Sequence, residues 1–188
     1  MKKEVTIGRQ EWMAENLNVD KFRNGDPILE AKTDEEWEKA GENGQPAWCY
    51  YEYDPANGTK YGKLYNWFAV NDPRGLAPEG WHVPGDKEWE KLVKYLGGDL
   101  EAGKRMKASH GWENNGNGTE EGGFSGLPGG SQCDYGTFEG IGRTGIWWSS
   151  TEHTPTNACN RLLYYNHGHA QIRNSSKGEG YSVRCLRD

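Results

Sequence analysis

What the sequence lacks excludes several classes first. No apolar run approaches the roughly 18 residues a membrane-spanning helix needs. The net charge is -6 with both signs interspersed, and no basic stripe is present, so nucleic acid is a poor partner. Cys49, Cys133, Cys159 and Cys185 show no CxxC spacing, and no His stands at a zinc-finger offset, which argues against a structural zinc site. Four cysteines allow three full pairings, and four unpaired thiols are equally allowed. The opening stretch MKKEVTIGRQEW has no apolar core and does not read as a secretory signal. The chain is then intracellular, already processed, or an excised domain.

Aliphatic residues are scarce, but nine Trp and ten Tyr compensate, because each aromatic ring buries about 150–250 Å². The 188 residues fit one domain over 1–188, and the 27 Gly predict many turns. Residues 33–40 read as a short helix, with Thr33 as N-cap and Glu36 completing a capping box. Trp89, Leu92, Val93 and Leu96 share one helical face ahead of Gly97, which predicts a helix after Pro84-Gly85. A further short helix is expected around Ala102–Lys107, and DPANGTKYG reads as a loop. KLYNWFAV reads as buried, of either helix or strand type. IWWSST, RLLYYN, AQIRNS and YSVRCLRD read as strands, the last alternating between Tyr181, Val183, Cys185 on one face and Ser182, Arg184, Leu186 on the other. Helices early and strands late make the class α+β.

The blocks IGRQEWMAENLNV, FRNGDPI, AWCYYEYDPANGTKYGKLYNWFAVNDPRGLAPEGWHVPGDKEWEKL, GFSGLPGG, WWSSTE and GYSVRCLRD, in this order, resemble the Fibrobacter succinogenes major paralogous domain family. The resemblance covers nearly the whole chain. It implies a C-type-lectin-like fold: two helices packed on a small twisted antiparallel sheet with long loops, and N- and C-terminal strands paired. It also implies a cell-surface or extracellular protein. Relatives often carry a Cys in the segment that here reads GLAPEGWHVP, as the expected partner of the Cys in SVRC. This chain has Ala77 there, so the resemblance leaves Cys185 without that partner.

The candidate sites divide by chemistry. Calcium is not expected: Asp54, Asp72, Glu120, Glu121, Asp134 and Glu139 are scattered loop acids, and the Glu-Pro-Asn signature of sugar-binding lectins is absent. An oxidase of the formylglycine-generating type would need a reactive Cys pair, and Cys159 and Cys185 lack an activating neighbourhood. Acid–base chemistry from His82 or His110 with Glu88 or Glu113 is conceivable, but His82 is expected to be a core or turn histidine bonded to backbone. A metal held by His153, His167 and His169 has only Glu152 nearby, so no metal and no cofactor is expected. Trp48, Tyr50, Tyr51, Tyr53, Tyr61, Tyr65 and Trp67 could form a stacking platform for sugars, but are expected mostly in the core.

The stretch Cys159–Gly178 is rich in Asn, Tyr, His and Ser, the adaptable residues of binding loops. Such residues, with Cys and Gly, are also the set that adenine-directed mutagenesis produces at AAC codons in diversity-generating retroelements. The expectation is therefore a ligand-binding module of receptor or adhesion type, not an enzyme. Its possibly hypervariable face would comprise Cys159, Asn160, Tyr164, Asn166, His167, His169, Asn174, Ser175 and Ser176, with Cys159 as an accidental surface thiol. The partner would be a protein or glycan. The competing classes are an enzyme on the same fold and a structural phage-tail or surface domain.

Overall fold

Val5 and Ile7 face Trp12 and Gln10 across a hairpin of β1 (Glu4–Ile7) and β2 (Gln10–Met13), closed by the two-residue turn Gly8-Arg9. A computed structural model describes residues 4–188; the first three residues of the opening segment lie outside the described residues. After a long turn come β3 (Leu29–Glu30), α1 (Asp34–Glu42), β4 (Ala47–Cys49), α2 (Pro55–Tyr61), β5 (Leu64–Tyr65) and α3 (Trp67–Val70). Then follow β6 (Trp81–His82), α4 (Asp86–Tyr95), α5 (Ala102–Met106), β7 (Gly129–Gln132), β8 (Phe138–Ile141), β9 (Thr144–Glu152), β10 (Asn157–Tyr164), β11 (Ala170–Ser176) and β12 (Leu186–Arg187).

The helix signals are placed well. Thr33 Oγ1 accepts from Glu36 N (3.2 Å), while the Glu36 carboxylate turns back to Lys32 N (2.8 Å), one residue earlier than a capping box would have it. In α4 the N-cap is Gly85, and its N–H donates to Glu88 Oε2 (2.9 Å). The helix stops in a Schellman motif: Gly97 takes φ +104, its N–H reaches Lys94 O, and Gly98 N reaches Val93 O.

The expected C-type-lectin-like architecture, two helices on one small antiparallel sheet, is corrected. The described residues are mostly sheet, with twelve strands in three sheets that curl as a half-barrel and only 21% helix. One sheet has the order β1-β2-β12-β6, a second β11-β10-β9-β7-β8, a third β3-β4-β5. Two pairings, β3 with β4 and β7 with β9, are parallel. The physical reason is that many strands are two to four residues long, too short to show a period-2 pattern.

Two local readings are also corrected. DPANGTKYG is helical: Asp54 caps α2 by accepting from Ala56 N (2.9 Å), and Pro55 occupies the first turn, where its missing N–H costs nothing. In YSVRCLRD only Leu186–Arg187 is strand, and both alternating sets are buried. Tyr181, Val183 and Cys185 enter one apolar cluster with Trp48, Trp67 and Trp148. Leu186 enters a second with Trp12, Trp89, Phe124 and Trp147. The segment is a wall between two cores. In the second core Trp12 lies 4.8 Å from Trp89, and Phe124 meets Trp147 edge-on at 5.4 Å, both centroid distances.

No disulfide joins the described cysteines. Cys49 Sγ donates to Gln132 Oε1 (2.6 Å). Cys159 is buried, so the expected surface thiol is corrected, and burial pushes it up to about 11.

Candidate binding face

The register of β9, β10 and β11 decides which side chains can meet. Leu162 pairs with Ile146 and Gln171; Tyr164 pairs with Thr144; Arg161 pairs with Trp147 and Ile172. Since side chains alternate, Ile146, Leu162 and Tyr164 point to one face, and Trp147, Arg161 and Leu163 to the other. The second face is closed by α4 and α5: Leu163, Ala170 and Trp147 pack with Trp89, Leu92 and Met106. Arg161 is fully buried on that side, and none of its guanidinium nitrogens makes a hydrogen bond among the described residues.

The first face is covered at only one end, where Trp148 stacks at 4.4 Å on Tyr181. At the other end Ile146, Leu162 and Tyr164 floor an open cleft of about 660 Å³, walled by Tyr51, Glu139 and Arg143. Arg143 Nε holds Glu113 Oε2 at 2.8 Å on the rim. An uncovered apolar floor with a polar rim is the usual composition of a ligand site.

A buried lysine holds the tip of the β10–β11 hairpin. Lys107 is 3% exposed, and its Nζ donates to the carbonyls of Tyr164 (3.3 Å), Tyr165 (3.3 Å) and His167 (3.0 Å). Burial lowers its pKa. The α5 backbone comes so close to the tip that a Cβ at Gly103 would collide with the His169 carbonyl. On this fixed tip the rings of Tyr165, Tyr164, His167 and His169 form a ladder, with centroids 5.0, 5.8 and 4.6 Å apart. Burial, then the charges of His169, Lys107 and Arg173, lower the His167 pKa.

The residues picked from the sequence do not gather on one face. Tyr164 reaches the cleft, Asn166 is exposed, and His167 and His169 are half-buried at the tip. Asn160 is buried (1% exposed) and donates to Ser175 Oγ (3.0 Å), which also accepts from Tyr181 Oη (2.8 Å). Cys159 lies on the closed side, on the same side as exposed Asn174, its partner in the register. Ser176 lines a separate cavity of about 380 Å³ with Glu38, Glu42 and Asp134. His169 lines a third, shallow one with Asp99, Leu100, Ile172 and Arg173.

Sequence reasoning missed Ile146, Leu162 and Arg143 as site residues, and weighed Glu113 only for acid–base chemistry and Glu139 only as a scattered loop acid. The first two carried a usable signal, since they are the alternate positions of two predicted strands. The rim acids and Arg143 came together only through tertiary folding. Glu179 was missed as well. Burial, then the charge of Asp134, raise its pKa to about 7, opposed by the hydrogen bond from Tyr181.

The other histidine readings also resolve. His82 bonds carboxylates rather than backbone, Nδ1 to Asp188 Oδ1 (2.8 Å) and Nε2 to Glu88 Oε1 (3.0 Å). Burial opposes its charge, but these two acids outweigh it and raise its pKa. Among the described residues no group of three or more His, Cys, Asp or Glu is placed to hold a metal ion. No described helix is long and apolar enough to cross a membrane. The platform aromatics Trp48, Tyr51, Tyr61, Tyr65 and Trp67 are buried.

No curated protein and no solved structure matches this chain significantly. The sequence profile of the Fibrobacter succinogenes major domain matches residues 5–187. The chain therefore belongs to the Fibrobacter succinogenes major domain family.

Proposed function

We propose that this domain is a binding module, with the open cleft of the β9–β10 face as its ligand site and the hairpin tip as its flank. One observation carries the reading: Ile146, Leu162 and Tyr164 are left half-exposed in the middle of a sheet whose opposite face buries Trp147, Arg161 and Leu163 at the same level. Rigid presentation supports it, because Lys107 fixes the tip before any ligand arrives and so lowers the ordering cost of binding. The ligand is a glycan or a protein surface at the cell exterior. Of the residues expected from the sequence, Tyr164, Asn166, His167 and His169 are available to it; buried Cys159 and Asn160, and Asn174 on the opposite face, are not. If the face is diversified by a retroelement, the adenine-rich codons should therefore fall on the former group and spare the latter.

The test is a screen of the domain on glycan and peptide arrays beside its Leu162→Glu variant. The reading predicts ligands that the variant loses while its unfolding midpoint holds. Ligands retained in full by Leu162→Glu would refute the cleft as the site.

A further inference from the structure

A fourth cavity, sharing no lining residue with the cleft, lies between the chain after β2, α2 and the segment after Phe124. It encloses about 270 Å³ and is lined by Asn16, Asn18, Thr59, Lys60, Ser125 and Arg184, with Glu15 also on its wall. That volume is just below the roughly 300–1,000 Å³ of sites for drug-sized ligands, so an occupant must be small.

Arg184 sets the chemistry of this cavity. It is 2% exposed. Its Nε (3.1 Å) and Nη2 (2.7 Å) donate to Asn16 Oδ1, and its Nη1 donates to the Phe124 carbonyl. Its guanidinium lies over the Phe124 ring at 4.3 Å. All these partners are neutral. A guanidinium carries five N–H donors, so one on each Nη remains beyond these bonds. Glu15 attracts it, but the two form no ion pair. Burial of a guanidinium without a paired anion is costly, and here it lowers the Arg184 pKa to about 9.

Asn16 can give nothing more. Its Oδ1 also accepts from Trp147 Nε1 (2.8 Å), and its Nδ2 donates to Tyr61 O (2.8 Å) and Ser182 Oγ (3.2 Å). Ser125, on the same wall, holds φ +48, a backbone state that is strained for a non-glycine residue and recurs at ligand clamps.

We propose that this cavity binds a small hydroxylated carboxylate, a sugar acid in kind, with Arg184 and Lys60 facing its charge. A monoanion fits better than a dianion, because Glu15 shares the wall. Asn18, Thr59 and Ser125 supply neutral polar partners for hydroxyl groups.

The intact domain should be titrated with sodium glucuronate, glucose and inorganic phosphate, following backbone amide NMR shifts at Asn16, Thr59 and Ser125. The expected result is saturable shifts with glucuronate at a Kd of about 1 mM or tighter, weaker shifts with phosphate, and none with glucose. Exposed Lys60→Glu should weaken glucuronate by about threefold or more, and exposed Glu15→Gln should tighten it by about twofold. Arg184→Met should abolish the shifts; if it fails to fold, the two surface variants carry the test. Absence of saturable glucuronate shifts, equal binding of glucose, tighter binding of phosphate, or indifference to both surface charges would each overturn the proposal.

Discussion

Alternate residues of the same strands build the two faces of the β9–β10–β11 sheet, yet the faces have opposite fates. Leu163 lies under α4 and α5 with no exposure, while its neighbour Leu162 floors an open cleft. The chemistry of the two side chains is identical, so the difference comes from what is placed over them. The closed face spends its apolar surface on stability. The open face keeps apolar surface available, rimmed by the Glu113–Arg143 pair. A one-sided sheet of this kind has a scaffold side and a contact side.

The sharpest way to break that comparison is to truncate both leucines. Leu163→Ala should destabilise the domain by about 2–5 kcal/mol, as for a fully buried leucine. Leu162→Ala should cost about 1 kcal/mol or less. Urea denaturation checks both, and equal costs would mean that the cleft floor is core.

Next in size is Lys107→Met, which removes the ammonium from three carbonyls at the hairpin tip. A loss of about 2 kcal/mol is expected, with faster amide exchange confined to residues 165–169. Unchanged exchange there would show that the tip is ordered without the lysine.

The pH dependence separates the faces further. Glu179 has its carboxyl pKa raised to about 7 in the fold, against about 4.3 in an unfolded chain. The folded state then binds more protons, so stability falls as pH rises from about 4.3 to about 7 and levels above that. Glu179→Gln should flatten this window, as read by unfolding midpoints across pH.

His82 gives the smallest effect, because it and Glu88 and Asp188 are partly exposed. Its pKa is raised, so its contribution is full below about 6.5 and is lost as pH rises through the folded value. His82→Gln should remove only that upper-window loss. A loss of stability on lowering the pH through the same window would contradict the pairing.

Much of this was legible from residues, for identifiable reasons. α1 and α4 announce themselves through side-chain caps and helical spacing, which are local signals. β9, β10 and β11 are long enough to show strand character. The remaining strands are too short for a period, and α2 hid behind an Asp-Pro-Ala-Asn-Gly string that serves a helix start as well as a turn. Register explains most of the misread site. Asn and Ser at 160 and 175 look like contact residues by type, but they point inward and satisfy each other and Tyr181. Composition marks a stretch as polar and alternation assigns each residue a face, but what lies over that face decides exposure: Asn160 shares the face of Leu162 yet is buried, and Asn174 shares the face of Leu163 yet is exposed. Arg184 shows the converse, a charged residue in an apolar wall, whose neutral partners Asn16 and Phe124 lie far away in the chain.

The most direct test of the one-sided sheet is the hydrogen-exchange footprint of a ligand selected on the arrays. The account predicts protection at residues 139–146 and 162–164, with the α4 and α5 side unchanged. Protection on α4 and α5, with none at 162–164, would contradict it.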